Sequence, residues 1–96
     1  MGQVTTLIDI VKSYKDLSEV DTIYAQEPWT ERSLALVATE PSSGGLPEDA
    51  KKLGLRYFLE VSVANEFLVD WCQSLKREPA LEEKCQRLIL YAINDA

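Results

Sequence analysis

Histidine is absent from this sequence, and cysteine, glycine and positive charge are scarce. Without histidine the chain lacks the commonest general base, the commonest metal ligand and the usual activator of a serine or cysteine nucleophile. Cys72 and Cys85 have no histidine or carboxylate cluster beside them in the sequence that would complete the four ligands of a structural zinc. We therefore expect no metal, no cofactor and no histidine-dependent catalysis.

Positive charge is outnumbered, with 10 Lys and Arg against 16 Asp and Glu and a formal net charge of −6. Such a chain repels phosphate backbones and anionic lipid surfaces at long range, so we expect neither nucleic acid nor membrane as a partner. The sequence also has no apolar run of about 18 residues and no basic segment leading into an apolar one at its start. These absences predict a cytoplasmic protein.

What remains is the composition of an ordinary globular domain. The 96 residues are 46% hydrophobic and 27% charged, which predicts one domain over residues 1–96 with one core. Both cysteines lie among apolar neighbours, a pattern typical of free buried thiols in a reducing compartment.

The hydrophobic periodicity indicates a mixture of helices and strands. It predicts helices at residues 5–17, 47–53, 62–75 and 79–93, and strands at 22–26, 34–39 and 55–62. Thr5 or Thr6 is available to cap the first helix, and Gly54 is expected to end the second. The fold predicted is a two-layer α+β arrangement in which helices cover one face of a three-stranded antiparallel sheet, in the order αββαβαα.

Two of these elements carry specific expectations. The strand LRYFLEVS alternates apolar and polar residues, which predicts a half-buried strand in the middle of the sheet. The following helix places Val63, Phe67, Trp71 and Leu75 at intervals of four. The predicted core consists of Trp71, Phe67, Leu59, Leu88 and Ile89.

The stretch QEPWTERS places the other tryptophan, Trp29, in a turn between two strands. Two interpretations stand side by side: the indole folds back over the edge of the sheet, or it stands partly exposed as a binding anchor. From Asp16 to Glu31 the chain has five acids and no Lys or Arg. Because Pro28 fixes the entry to the turn, we expect Asp21, Glu27 and Glu31 to frame Trp29 for a partner.

The runs EPWTERSLALVATEP, GLRYFLEVSVANEFLVDW and LYAINDA resemble a family of small acidic bacterial α+β domains of unassigned function that carry a Pro-Trp-Thr turn. The likeness covers residues 20–96, with Pro28, Trp29 and Thr30 on the turn. It implies a bacterial α+β protein and no activity, cofactor or catalytic residue.

Three functional hypotheses follow. The first is a non-catalytic protein that binds a basic protein partner, with an immunity protein that neutralises a basic toxin as a concrete instance. The second is a structural or assembly subunit that self-associates through the last helix, because Leu90 and Tyr91 lie outside the main apolar stripe of that helix. The stripe consists of Leu81, Cys85, Leu88, Ile89, Ala92 and Ile93. Both a monomer and a homodimer are compatible with the sequence. The third is an enzyme that uses Glu66 and Asp70, spaced i, i+4, although such a pair is more often the exposed side of an amphipathic helix.

Overall fold

The computed structural model describes residues 4–95, and within them four strands form one antiparallel sheet. In chain order the elements are β1 (Thr5–Thr6), α1 (Leu7–Lys12), a 3-10 turn (Tyr14–Asp16), β2 (Thr22–Ala25), β3 (Leu34–Ala38), α2 (Glu48–Leu53), β4 (Arg56–Glu60), α3 (Val61–Ser74) and α4 (Leu81–Asp95). The spatial order of the strands is β1-β3-β2-β4. The α+β class is confirmed, but the sheet has four strands rather than the predicted three.

The unpredicted strand β1 is only two residues long. Thr5 pairs with Ala35 and Thr6 with Leu34, and the chain then turns directly into α1. The hydroxyl oxygen of Thr6 accepts a hydrogen bond from the backbone N–H of Asp9 at 3.4 Å, so Thr6 is the helix cap. The helix ends at Lys12, earlier than predicted, and the 3-10 turn follows it.

Both faces of the sheet are covered, whereas the sequence predicted that helices would cover only one face. Successive strand residues point to opposite faces, so Ile23 and Ala25 lie in the main core while Tyr24 lies in a smaller cluster. Residues of α1, α3 and α4 complete the main core. On the opposite face, Ala50 of α2 and Leu55 pack against Tyr24, and Gly54 ends α2 in the left-handed conformation with φ of +70°.

Strand β4 lies at an edge of the sheet, so its predicted central position is wrong. It pairs only with β2, where Ile23 faces Leu59 and Tyr24 faces Tyr57, which leaves Phe58 as an extra residue in a bulge. The bulge turns both Phe58 and Leu59 toward the main core and interrupts the predicted alternation. Bulges of this kind also limit edge-to-edge pairing with other chains.

The predicted core is correct for Leu59, Leu88 and Ile89, which belong to the main cluster. Phe67 is only partly buried against that cluster, and Trp71 is half-buried and lies outside it. A spacing of four residues drifts by about 40° per step around a helix with 3.6 residues per turn. The buried residues of α3 are instead Val61, Ala64 and Leu68, at spacings of three and four. Trp71 continues that spacing but stays half-buried near the end of the helix, beyond the main cluster.

Candidate partner-binding site

The turn between β2 and β3 is closed by hydrogen bonds centred on Ser33. The Ser33 hydroxyl donates to the carbonyl of Pro28 at 3.1 Å and accepts from the N–H of Thr30 at 2.8 Å. The backbone N–H of Ser33 donates to the carbonyl of Thr30 at 3.1 Å, and the Glu27-Pro28 peptide bond is cis. Ser33 is buried, so the turn has a polar centre that holds Pro28 and Trp29 in place.

Trp29 folds back over the edge of the sheet, the first of the two interpretations above. Its indole N–H donates to the carbonyl of Ala25 at 3.3 Å, and its ring meets Phe58 edge to face, with centroids 4.8 Å apart at 86°. The side chain is half-buried against the main core. One part of the indole is thus a structural contact, and the remainder faces the surface in a fixed orientation.

That remaining surface of Trp29 is shared by two clefts. The first, which we call the Glu31 cleft, has a volume of about 380 Å³ and is lined by Trp29, Thr30, Glu31, Arg32, Gln86 and Ile89. The second, the Ile93 cleft, has a volume of about 550 Å³ and is lined by Glu27, Pro28, Trp29 and Ile93. Both clefts therefore lie between the turn and helix α4.

The three predicted acids are distributed unevenly around Trp29. Glu27 is exposed and lines the Ile93 cleft, and Glu31 is half-buried and lines the other. Asp21 precedes β2, whereas the indole N–H is hydrogen-bonded to Ala25 at the other end of that strand. At 3.3 Å per residue, the four residues from Asp21 to Ala25 span about 13 Å. The Asp21 carboxylate accepts a hydrogen bond from Thr39 at 2.8 Å, so the structure brings Glu27 and Glu31, but not Asp21, to the tryptophan.

Glu31 is held in place through both its side chain and its backbone. Its Oε2 accepts from the Nε2 of Gln86 on α4 at 2.6 Å, and its carbonyl accepts from the N–H of Ile8 on α1 at 3.0 Å. The carboxylate also lies near Cys85: burial raises the pKa of that thiol to about 12, and the negative charge of Glu31 adds to the rise. The charge of Glu31 is therefore fixed over helix α4.

Helix α4 contributes residues that sequence reasoning did not assign to a site. Ile93 belonged to the predicted buried stripe, yet its side chain is 56% exposed. Gln86 carried no signal, because a polar residue in an amphipathic helix is expected on the solvated face. Leu90 is 46% exposed, while Tyr91 stacks on Phe67 with centroids 4.4 Å apart.

The other candidate chemistry finds less support in the geometry. Glu66 and Asp70 are exposed on α3 and line a cleft with Lys15, Glu19 and Asn65. Among the side chains that the structure describes, no group of three or more cysteines and carboxylates is placed to hold a metal ion. Cys85 is buried, whereas Cys72 is half-buried, and both thiols are free.

Comparisons with known proteins give no relationship from which a function could be inferred. No protein-family model, no curated protein and no solved structure matches this chain. The resemblance to small acidic bacterial domains therefore stays a prediction. In the part of the chain that the structure describes, no helix has both the length and the apolar character needed to cross a membrane.

Proposed function

We propose that this chain is a non-catalytic binding protein that holds a basic protein partner at the surface around Trp29. The observation that carries the proposal is the shared wall: one fixed indole separates two clefts, and each cleft has a carboxylate on its border. A rigid aromatic surface beside open clefts is typical of binding sites in which a few residues supply most of the affinity.

The apolar part of this surface is the Ile93 cleft. Pro28 is exposed, Ile93 is 56% exposed, and the half-buried indole lies between them. A partner that inserts an apolar side chain here buries three apolar groups without reordering the turn, because Ser33 already holds it. Preorganisation of this kind lowers the entropic cost of association.

The charge of the chain suits a basic partner. The formal net charge is −6, and the segment from Asp16 to Glu31 contains five acids and no Lys or Arg. Acids at the rim of an apolar site accelerate the capture of a basic protein more than they strengthen the final complex. An immunity-type protein that neutralises a basic toxin in a bacterial cytoplasm is the concrete instance that we propose, with no cofactor.

Self-association is the second candidate, and one observation favours it. Leu90 and Ile93 are one helical turn apart on α4, and their side chains are 46% and 56% exposed. Two copies of the chain could bury these residues against each other about a twofold axis. Sedimentation equilibrium separates the candidates: a tight homodimer that Leu90→Asn dissociates would favour self-association over the binding of a basic partner.

A displayed library of random peptides tests the first candidate. We expect peptides selected on the wild-type protein to combine Lys or Arg with a large apolar side chain. Ile93→Asn should weaken their binding at least about tenfold, equivalent to about 1.4 kcal/mol. Val20→Asn is the matched control, since Val20 is 80% exposed and lies at the opposite end of β2.

The contribution of charge is tested on the same peptides. Glu27→Gln should slow association and flatten its dependence on salt, while dissociation changes little. Glu48→Gln, an exposed acid on α2, should leave both rates unchanged. Selection of uncharged or acidic peptides, or equal affinity for the wild type and Ile93→Asn, would contradict the proposal.

A further inference from the structure

The Glu31 cleft combines apolar walls with fixed hydrogen-bond acceptors. Trp29 and Ile89 supply the apolar walls, and Glu31 and Gln86 supply the polar groups. Ile89 is largely buried, so it presents only a small apolar surface from α4. A ligand suited to this cleft has an apolar stem and a head that donates hydrogen bonds.

The acceptors are already oriented before any ligand arrives. The Gln86 amide donates from Nε2 to Oε2 of Glu31 at 2.6 Å, which directs the amide oxygen of Gln86 and the Oε1 of Glu31 to other donors. No other described side chain donates to either of these two oxygens. The indole beside them is fixed by its bond to the Ala25 carbonyl.

Glu31 also has no cationic partner within the described chain. The ion pairs among residues 4–94, whose side chains the structure describes, join Arg77 to Glu83 and Lys84 to Glu78. Arg32 lines the same cleft but is exposed and forms no ion pair with Glu31. A half-buried carboxylate beside an aromatic ring is therefore left for an external cation.

We propose that the Glu31 cleft binds an arginine side chain of the partner, an assignment that rests on the proposed function. The planar guanidinium stacks on the exposed surface of the Trp29 indole and donates to Glu31 Oε1 and the Gln86 amide oxygen, and its methylene stem lies against Ile89. Lysine fits less well, because its ammonium is a strongly hydrated point charge that does not stack. Arg32 opposes the incoming charge and weakens binding.

The direct test uses N-acetyl-arginine amide as the probe and N-acetyl-citrulline amide, its neutral analogue, as the control. Titration is followed by the two indole N–H signals and the side-chain amide signals in nitrogen-proton correlation spectra. The Trp71→Phe variant assigns the Trp29 signal. We expect the Trp29 and Gln86 signals to shift saturably with the arginine probe, and the Trp71 signal of the wild type to stay in place.

Four comparisons decide the outcome. Glu31→Gln retains a hydrogen bond to Gln86 but should weaken arginine binding about tenfold at an unchanged melting temperature. Arg32→Gln should strengthen the binding of the arginine probe at least twofold. The citrulline probe should give no saturable shift, and N-acetyl-lysine amide should bind more weakly than arginine. Equal binding of citrulline, or weaker binding of arginine by Arg32→Gln, would overturn the assignment.

The peptides selected for the proposed function separate the two ideas. If their affinity depends on Ile93 and Glu27 but not on Glu31, only the arginine assignment fails. If it depends on none of the three, the proposed function fails as well. The assignment is supported if Glu31→Gln loses affinity for the peptide and replacing the arginine of the peptide with lysine does not restore that affinity.

Discussion

Replacing Trp29 with alanine should destabilise the fold strongly. Truncation of a fully buried tryptophan costs about 3 to 5 kcal/mol, and the half-buried Trp29 should lose about half of that. The edge-to-face contact with Phe58 and the hydrogen bond to Ala25 contribute about 1 kcal/mol each. We expect a total loss of about 4 kcal/mol, a large share of the 5 to 15 kcal/mol typical of a domain.

Urea denaturation followed by far-ultraviolet circular dichroism measures this loss. Trp29→Phe should lose about 1 to 2 kcal/mol, because a ring still meets Phe58 but the carbonyl of Ala25 loses its donor. Trp71→Ala should cost less than Trp29→Ala, since Trp71 lies outside the main cluster. An unchanged midpoint for Trp29→Ala, or a larger loss for Trp71→Ala, would refute this account of the turn.

Four further predictions concern buried and paired groups. The Tyr24 hydroxyl is buried and has no hydrogen-bond partner among the described residues, so Tyr24→Phe should raise stability by about 1 kcal/mol in thermal unfolding, and a loss would reveal a partner. In the Tyr24→Phe background, stability should fall as pH rises from 9 toward 12, because the Cys85 thiol ionises near pH 9.0 in the unfolded chain and at about 12 in the folded one. In the native protein, Cys72 should react with a thiol reagent much faster than the buried Cys85, and equal rates would contradict this difference in burial. Hydrogen bonds from Arg77 and the Ala80 backbone lower the pKa of Glu83 to about 2, so its contribution to stability should be present above pH 4.5 and lost toward pH 2, and Glu83→Gln should unfold with a weaker dependence on acid.

The sequence predicted the parts of the fold that depend on local pattern. The hairpin strands, the cap at Thr6 and the end of α2 at Gly54 are encoded by neighbouring residues. The two-residue strand β1 has no such pattern, because it exists only by pairing with β3. The bulge at Phe58 depends on register with β2, which strict alternation could not reveal.

The site could be predicted only in part for the same reason. Trp29, Glu27 and Glu31 lie within one turn, so their proximity follows from the sequence. Asp21 is close in sequence, but an extended strand carries it away from the indole. Gln86 and Ile93 come from a helix more than fifty residues later, and only the packing of α4 beside the turn brings them to Trp29.

The packing of Trp29 determines how any binding role must be tested. Because the indole is bonded to Ala25 and packed on Phe58, its removal disturbs the turn as well as both clefts. A loss of binding in Trp29→Ala would therefore not distinguish a direct contact from a disordered site. Glu27 and Ile93 are exposed, so substitutions there change the binding surface while the indole and its supports stay in place. The contacts with Ala25 and Phe58 that make Trp29 unsuitable as a probe also fix the surface at which we propose that a partner binds, and a rigid surface reduces the entropy lost on association.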